Sequence, residues 1–341
     1  MTERVLTQRE LNRALLARQL LLERVPLRLP RAIDRMGGIQ AQYAPSSYVA
    51  MWTRLESFPR DRLTRALERR TLVQGTLLRG TIHIVSRAEY WLWAEAIRES
   101  RREWLQRAWP KLAALDVERI NQTLRDALSD GPRNRNDLVA LVGKDAFQAA
   151  DLDLVRVPPS GTWEHRRADL YAVAEDWVGP NDADAEAGRE LLVRRYLAAF
   201  GPARAADIQG WAAIGLPRIR AVLERLELRL FRDEQGRELF DLPRAPLPDA
   251  ETPAPARFIP VWEAMLLVHA RRTGVLPEEL RPILFNSKLP ASMSTFLLDG
   301  VVAGAWRYER GRINLQPFRR LTRAERTELK AEQERLAAFH A

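Results

Sequence analysis

Two glutamines separated by one residue, Gln40 and Gln42, are the first candidates for chemistry in this sequence. They follow Gly37-Gly38, a signal that ends a helix, so a non-helical segment is predicted there. A neutral amide is too weak a base to deprotonate water. It can position a water molecule and direct its carbonyl dipole at developing positive charge. The alternative is that the two side chains only cap backbone groups or face solvent.

Other chemistries lack the residues that they need. The chain has no Cys, which excludes thiolate nucleophiles and thiolate metal sites. Gly37-Gly38 lacks the Lys-Ser/Thr of a phosphate-binding loop. The four histidines have no spacing typical of a metal site, so no metal and no cofactor are expected; they are His83, His165, His269 and His340.

Positive charge is concentrated in the first third of the chain. Residues 1–110 contain 20 Arg against 11 acidic residues, whereas residues 111–341 contain 34 of each sign. A basic face confined to one domain is typical of nucleic-acid binding, although acidic proteins and membrane surfaces attract the same charge. Without Cys or a long apolar run, the chain is predicted to be cytoplasmic, nucleoid-associated and not inserted in a membrane.

The first third shows the order of elements found in a winged helix. A capping box at Thr7 predicts a first helix over Arg9–Leu22. The remaining patterns predict two further helices and two strands around a turn: Pro30–Met36, Arg62–Arg70, Leu72–Gly75 and Thr81–Val85.

An internal repeat extends this architecture along the chain. Gly131–Leu138 and Gly201–Ile208 share the frame G-P-x-x-x-x-D-[LI], and each follows an amphipathic helix and opens a second, shorter one. The five prolines of Pro243–Pro255 mark a boundary. Beyond it, Asp299-Gly300 between apolar runs predicts a β-hairpin, and Arg323–Phe339 predicts a terminal helix. The predicted domains are 1–110, 111–187, 188–245 and a β-rich unit at 256–341.

Several motifs, in order, carry a family resemblance. They are Gln40-Ala41-Gln42, Arg79-Gly80-Thr81-Ile82-His83, Pro159-Ser160-Gly161-Thr162-Trp163, Gly201-Pro202 and Leu298-Asp299-Gly300-Val301-Val302. Together they resemble the HTH_42 family, the AlkZ-like winged-helix DNA glycosylases, over nearly the whole chain. The resemblance implies a mainly α fold with β wings, an α+β class. Three tandem winged helices would form a C-shaped scaffold, followed by a C-terminal β-barrel-like domain.

The resemblance also implies a site and an activity. Gln40 and Gln42 match the catalytic pair, and four further residues would line the site or bind DNA: Arg79, Thr81, His83 and Tyr43. The Asp299-Gly300 hairpin is expected to reach a DNA groove. Two departures from the family pattern, Glu263 and His269–Arg272, leave the role of the segment around Leu266 open.

The chemistry of an amide pair limits the substrate that the resemblance implies. A purine alkylated at N7 of guanine or N3 of adenine is already cationic and leaves the sugar without acid catalysis. The expected partner is therefore double-stranded DNA that contains alkylated purines, and a monomeric, monofunctional glycosylase would remove the alkylated base. Unhooking of crosslinks and self-resistance to an alkylating natural product are further expectations. The alternatives are a non-catalytic winged-helix DNA-binding protein or transcriptional regulator, and an RNA-directed protein.

The tryptophans at helical positions are interpreted mainly as core residues, although one of them could stack on a base. They are Trp52, Trp91, Trp93 and Trp104.

Overall fold

The computed structural model describes residues 4–285 and 293–341. The predicted capping box is present, since the Thr7 hydroxyl accepts from the N–H of Glu10 and the Glu10 carboxylate accepts from the N–H of Thr7. The elements of the first third are β1 (Val5–Leu6), α1 (Gln8–Arg18), α2 (Leu29–Met36), β2 (Ile39–Gln40), α3 (Ala44–Arg54), α4 (Asp61–Glu68), β3 (Leu72–Thr76), β4 (Ile82–Ser86) and α5 (Tyr90–Ala108).

The middle of the chain contains the helices predicted on both sides of the repeated Gly-Pro frame. Its elements are α6 (Val117–Leu128), β5 (Arg133–Asn134), α7 (Arg135–Val142), α8 (Lys144–Ala149), β6 (Leu154–Arg156), β7 (Leu170–Val173), α9 (Ala174–Val178), α10 (Ala185–Phe200), α11 (Ala205–Ala212), α12 (Leu216–Arg225), β8 (Arg229–Asp233) and β9 (Glu238–Asp241).

The C-terminal part contains a four-stranded antiparallel sheet in the order β10-β11-β12-β13, followed by a helix. The first and last strands pair only with their neighbours, so the expectation of a barrel is wrong: no sheet closes within 4–285 and 293–341. The elements are β10 (Arg257–Ile259), α13 (Arg281–Leu284), β11 (Thr295–Leu298), β12 (Val301–Glu309), β13 (Arg312–Pro317) and α14 (Arg323–His340).

The hairpins of the first two predicted domains share one sheet. Its six strands run in the order β2-β4-β3-β6-β7-β5, and the two hairpins meet where β3 pairs with β6. In a separate three-stranded sheet, β1 pairs in parallel with β8. Strand pairing therefore links the first predicted domain to the second through β3 and β6, and to the third through β1 and β8.

The proline-rich segment 243–255 is held against α1. Three arginines of α1 donate to its backbone oxygens: Arg9 to Ala250, Arg13 to Thr252 and Arg18 to Pro246. The guanidinium of Arg18 also forms a buried bidentate pair with Asp241, at 2.7 and 3.0 Å. Because both charges are buried and fully hydrogen-bonded, this pair fixes the position of α1 on the third predicted domain.

An aromatic core joins α5, α10 and α11 beneath β2. Trp93 packs edge-on against Trp211 at 5.5 Å between ring centroids, and Trp211 packs against Tyr196 at 5.4 Å. Trp52, Trp91 and Trp93 are buried, as expected for core residues. The expectation is wrong for Trp104, which is 48% exposed because the second half of α5 extends beyond this core.

No helix in the described ranges combines the length and apolar character needed to cross a bilayer.

Candidate active site around two glutamines

A double-glycine turn places β2 beside β4. Helix α2 ends at Gly37, and both Gly37 and Gly38 adopt left-handed backbone conformations, with φ of 75° and 74°. A Cβ atom on Gly38 would lie 3.0 Å from the Trp93 ring. Glycine is therefore required twice over, by backbone geometry and by the close approach of the core.

Gln40 lies directly opposite His83 in the antiparallel pair of β2 and β4. Opposed residues project from the same face of a sheet, so both side chains belong to one site. The Nδ1 atom of His83 lies 3.0 Å from the carbonyl oxygen of Thr81. A carbonyl oxygen only accepts, so Nδ1 carries the proton and Nε2 is the unprotonated nitrogen.

His83 is a neutral group. It is buried, and burial together with the nearby charge of Arg79 lowers its pKa to about 3. An imidazole in this environment does not supply protons near neutral pH. The structure places His83 beside Gln40, as the sequence predicted, with its imidazole neutral.

The amide of Gln40 is held by Arg79. The Nη2 atom of Arg79 donates to Oε1 of Gln40 at 3.1 Å, and its Nη1 atom donates to the backbone oxygen of Trp211. Because a guanidinium is only a donor, this contact determines which end of the Gln40 amide is the oxygen. Arg79 itself has a left-handed backbone, with φ of 56°. It thus connects Gln40 to α11.

The amide of Gln42 is held by the backbone of β4. Its Oε1 atom accepts the N–H of Ile82 at 2.7 Å, while the carbonyl oxygen of Ile82 accepts the N–H of Ala41 at 2.7 Å. The side chain of Gln42 thus continues the pairing of β2 with β4 beyond the end of the strand. Gln42 is exposed, whereas Gln40 is 7% exposed.

Both catalytic candidates therefore present partly occupied carbonyl oxygens. Each oxygen has one fixed donor and keeps a second lone pair, and each amide nitrogen has two N–H groups. The sequence alone indicated neutral amides; the structure adds that each has one orientation.

One positive charge, that of Arg79, contacts the glutamine pair directly. Within 4–285 and 293–341, no carboxylate hydrogen-bonds to Gln40, Gln42 or His83, and Arg79 has no ion pair within 4 Å. Burial lowers the pKa of Arg79 to about 10, so it stays cationic at neutral pH. Glu263 lines a small cavity that Gln40 also lines, but its carboxylate pairs with Arg54 at 3.0 Å.

Tyr43 and Thr81 have different surroundings. Tyr43 is 41% exposed, and its hydroxyl accepts from Arg166 at 3.1 Å. Arg166 was not singled out from the sequence, because only the fold brings residue 166 to residue 43. The hydroxyl of Thr81 donates to the backbone oxygen of Leu78 at 3.0 Å, a contact that closes the turn between β3 and β4.

The Asp299-Gly300 turn is packed on α1. The carboxylate of Asp299 binds Arg9 at 2.9 Å and also binds Arg13, whose side chain is completely buried. A Cβ atom on Gly300 would lie 2.6 Å from Oδ1 of Asn12 and from a methyl carbon of Leu16. The structure thus assigns this turn contacts with α1, and none of its described contacts is with the glutamine pair.

The departures at His269–Arg272 have structural contacts. Arg272 is buried and donates to the backbone oxygen of Pro202 at 2.7 Å and to Asp207 at 3.2 Å. His269 is buried against Tyr196, whose hydroxyl lies 3.2 Å from its Nδ1 atom. This segment braces α10 and α11. Among the described residues, no three His, Asp or Glu side chains are grouped as metal ligands would be.

Comparison with known proteins identifies the family. A sequence model described as DNA glycosylase AlkZ-like matches residues 33–339, a range that includes both glutamines, His83 and the Asp299-Gly300 turn. The chain belongs to the AlkZ-like DNA glycosylase family. The AlkZ-like resemblance found in the sequence is thereby confirmed.

The solved structures contain a close AlkZ-like fold. Streptomyces sahachiroi DNA glycosylase AlkZ superposes with a TM-score of 0.79 and 17% sequence identity, covering 96% of this chain and 95% of that chain. At this identity, the match shows the shared fold. No curated protein matches the sequence. Membership of the AlkZ-like family makes DNA the expected partner.

Proposed function

We propose that this chain is a monofunctional DNA glycosylase that hydrolyses the N-glycosidic bond of cationic N7-alkylguanine or N3-alkyladenine in double-stranded DNA. Gln40 and Gln42 are its catalytic residues. The observation that supports this proposal most directly is the hydrogen bonding of their amides. Each oxygen is held by one obligate donor, from Arg79 or from Ile82, so that both amides are oriented before substrate binds.

The reaction needs only a positioned water. The C1′–N9 bond breaks and its electron pair moves to the purine, which neutralises the positive charge of the alkylated base. Water forms the new C1′–O bond and releases a proton to solvent. The second lone pairs of the Gln40 and Gln42 oxygens accept hydrogen bonds from that water, and their dipoles face the developing positive charge at C1′.

The same surroundings explain why ordinary bases would be spared. An unmodified purine leaves readily only when an acid protonates it. His83 is neutral, with its pKa lowered to about 3, and no described carboxylic acid contacts the glutamine pair. The site therefore offers no acid to an unmodified purine, whereas an alkylated purine, already cationic, leaves without one.

A covalent lysine route has no support in the described residues. Three of the four lysines lie on elements remote from β2 in sequence: Lys111 before α6, Lys144 in α8 and Lys330 in α14. None of them has a described contact with Gln40 or Gln42. Lys288 lies outside the described residues. We therefore propose that water is the nucleophile and that an abasic site is the product.

The proposal extends to the architecture around the site. The helices α10, α11 and α12 with the hairpin of β8 and β9 are interpreted as the third of three tandem winged helices. We propose that this C-shaped scaffold binds duplex DNA as a monomer in the cytoplasm. Bulky N7 adducts, crosslinks that join two strands and self-resistance to an alkylating natural product belong to the same proposal.

The test is single-turnover excision. Purified protein is incubated with duplex DNA that carries one N7-methylguanine, and alkali-labile abasic sites are scored. Gln40→Ala and Gln42→Ala are compared with Gln122→Ala, which changes an exposed glutamine of α6. We expect rates to fall at least about tenfold in the first two variants, on the scale of one lost hydrogen bond, and to stay unchanged in the third.

The opposite outcome favours the non-catalytic DNA-binding protein. Intact binding to DNA, with no excision of methyl, bulky or crosslinked N7 adducts, would contradict the glycosylase. A dimer in solution that binds two half-sites one helical turn apart would then indicate a regulator.

A further inference from the structure

A cleft of about 670 Å³ opens beside Arg79, between the second half of α5 and the segment that follows α11. This volume is within the range of small-molecule and nucleotide sites. Arg79 lines the cleft and at the same time donates to Gln40, so a single guanidinium separates the cleft from the catalytic amide. The apolar part of its wall consists of Leu77, Ile97, Trp104, Ala212, Ala213 and Ile214.

The charged residues that line this cleft are three arginines and one glutamate, a net positive charge. Arg79, Arg101 and Arg107 line it, and within 4–285 and 293–341 none of them forms an ion pair shorter than 4 Å. The one lining carboxylate, Glu103, is bound by Arg218 at 2.8 Å. The cleft is therefore positive, and a cationic alkylated base would be repelled from it.

Trp104 offers an aromatic surface at the same place. It is 48% exposed, and its ring contacts the exposed ring of Trp109 edge-on, at 4.9 Å between centroids. A half-exposed indole beside unpaired arginines is the combination that binds single-stranded nucleic acid, with bases stacked on the ring and phosphates on the cations.

We propose that this cleft binds an unpaired nucleotide of the DNA next to the lesion, one whose base is not alkylated and is therefore neutral. The base stacks on Trp104, and its flanking phosphates bind Arg101 and Arg107. The proposal rests on the proposed function only in taking DNA as the substrate. The cleft would hold a nucleotide that has left the duplex. It lies next to the glutamine pair, because Arg79 both lines the cleft and donates to Gln40.

Charge and size favour this occupant over the lesion itself. Phosphates complement the guanidinium groups of Arg101 and Arg107, whereas the cationic base does not. A volume of about 670 Å³ also exceeds the space needed for a base alone, so sugar and phosphate can enter with it.

The test uses an undamaged ligand. A single-stranded hexanucleotide that contains one 2-aminopurine is titrated with protein, and stacking is followed as quenching of 2-aminopurine fluorescence. We expect Trp104→Ala to weaken binding at least about fivefold and Trp104→Phe to retain most of it, because a phenyl ring also stacks. Tyr308→Ala, which removes another exposed aromatic ring away from the cleft, is the matched control.

The contribution of Arg101 and Arg107 is measured separately, through the salt dependence of binding. Each of Arg101→Gln and Arg107→Gln should reduce the slope of log affinity against log salt concentration by about 0.7, the value for one phosphate contact on a single strand. Circular dichroism melting curves confirm that each variant is folded. Equal affinities for Trp104→Ala, Tyr308→Ala and the unchanged protein would overturn the proposal.

Excision of N7-methylguanine by the same preparations separates the two proposals. Trp104-dependent binding without excision would leave the cleft as the nucleotide site and contradict the glycosylase. Excision together with binding that does not depend on Trp104 would support the glycosylase and overturn the nucleotide site in the cleft.

Discussion

Arg79 donates a 3.1 Å hydrogen bond to the side-chain oxygen of Gln40 while its other terminal nitrogen holds the backbone of Trp211. One half-buried cation thus orients a candidate catalytic amide from β2 and ties it to α11. Its left-handed backbone is unusual for a residue with a Cβ atom. We propose on this contact that Arg79 positions Gln40, in addition to the site-lining or DNA-binding role that the resemblance implied.

The first prediction concerns this contact. Arg79→Met should lower the single-turnover excision rate about 10- to 100-fold, because a charge-assisted hydrogen bond contributes about 1.5–3 kcal/mol and the Gln40 amide would be free to rotate. Arg79→Lys, which keeps the charge and one donor, should recover part of the rate. Affinity for undamaged duplex DNA is measured alongside. A loss of affinity with an unchanged excision rate would instead indicate only a phosphate contact.

The second prediction concerns pH and stability. The pKa of His83 falls from its ordinary value to about 3 through burial and the charge of Arg79, and burial lowers the pKa of His340 to about 4. The unfolded chain therefore binds more protons than the native state below pH 6.5, and stability falls as the pH falls. We expect a loss of up to about 1.4 kcal/mol per pH unit for each histidine.

Urea unfolding between pH 7.5 and 5 measures this slope. His83→Gln can donate to the same Thr81 oxygen but does not titrate, so its stability should fall less steeply with acid. The excision rate of the unchanged protein should show no inflection near pH 6.5 due to His83. Parallel unfolding slopes for His83→Gln and the unchanged protein would contradict a depressed pKa.

Local sequence signals predicted much of the fold. The helix predicted over Pro30–Met36 is α2 (Leu29–Met36), and the terminal helix predicted over Arg323–Phe339 is α14 (Arg323–His340). Capping residues, Gly-Pro turns and alternating apolar residues act over a few positions, so they can be recognised without tertiary structure. The two-residue strand β2 could not be predicted, because it exists only through pairing with β4, more than 40 residues later.

The members of the candidate site could be predicted from local motifs, but their hydrogen bonds could not, because these depend on long-range contacts. The motifs indicated that Gln40, Gln42, Arg79 and His83 belong together, and the structure brings them together. The orientation of each amide depends on donors supplied by the fold, Arg79 and the backbone of Ile82. The barrel expectation failed because β13 does not return to β10, a long-range relationship on which no local pattern bears.

The third prediction separates packing from DNA contact at the β11–β12 turn. Asp299→Ala should lower the free energy of unfolding by about 1–2 kcal/mol, because the buried guanidinium of Arg13 would lose its carboxylate while keeping backbone acceptors. Affinity for duplex DNA and the excision rate should not change. Unfolding is followed by urea denaturation. Weaker DNA binding with unchanged stability would support the groove contact that the resemblance implied.

The fourth prediction concerns the charge of the catalytic pair. Gln42→Glu keeps an oxygen that can accept the N–H of Ile82, and it adds a negative charge beside the developing positive charge at C1′. We expect excision of N7-methylguanine to be retained at neutral pH, whereas Gln42→Leu, which is similar in size but has no acceptor, should lose at least about tenfold. Excision is scored for both variants from pH 4 to 8. Protonation of the new carboxyl would remove its charge, so the rate of Gln42→Glu should fall with acid near the ordinary Glu pKa of about 4.3. Equal rates for Gln42→Glu and Gln42→Leu would show that the oxygen of residue 42 takes no part in the reaction.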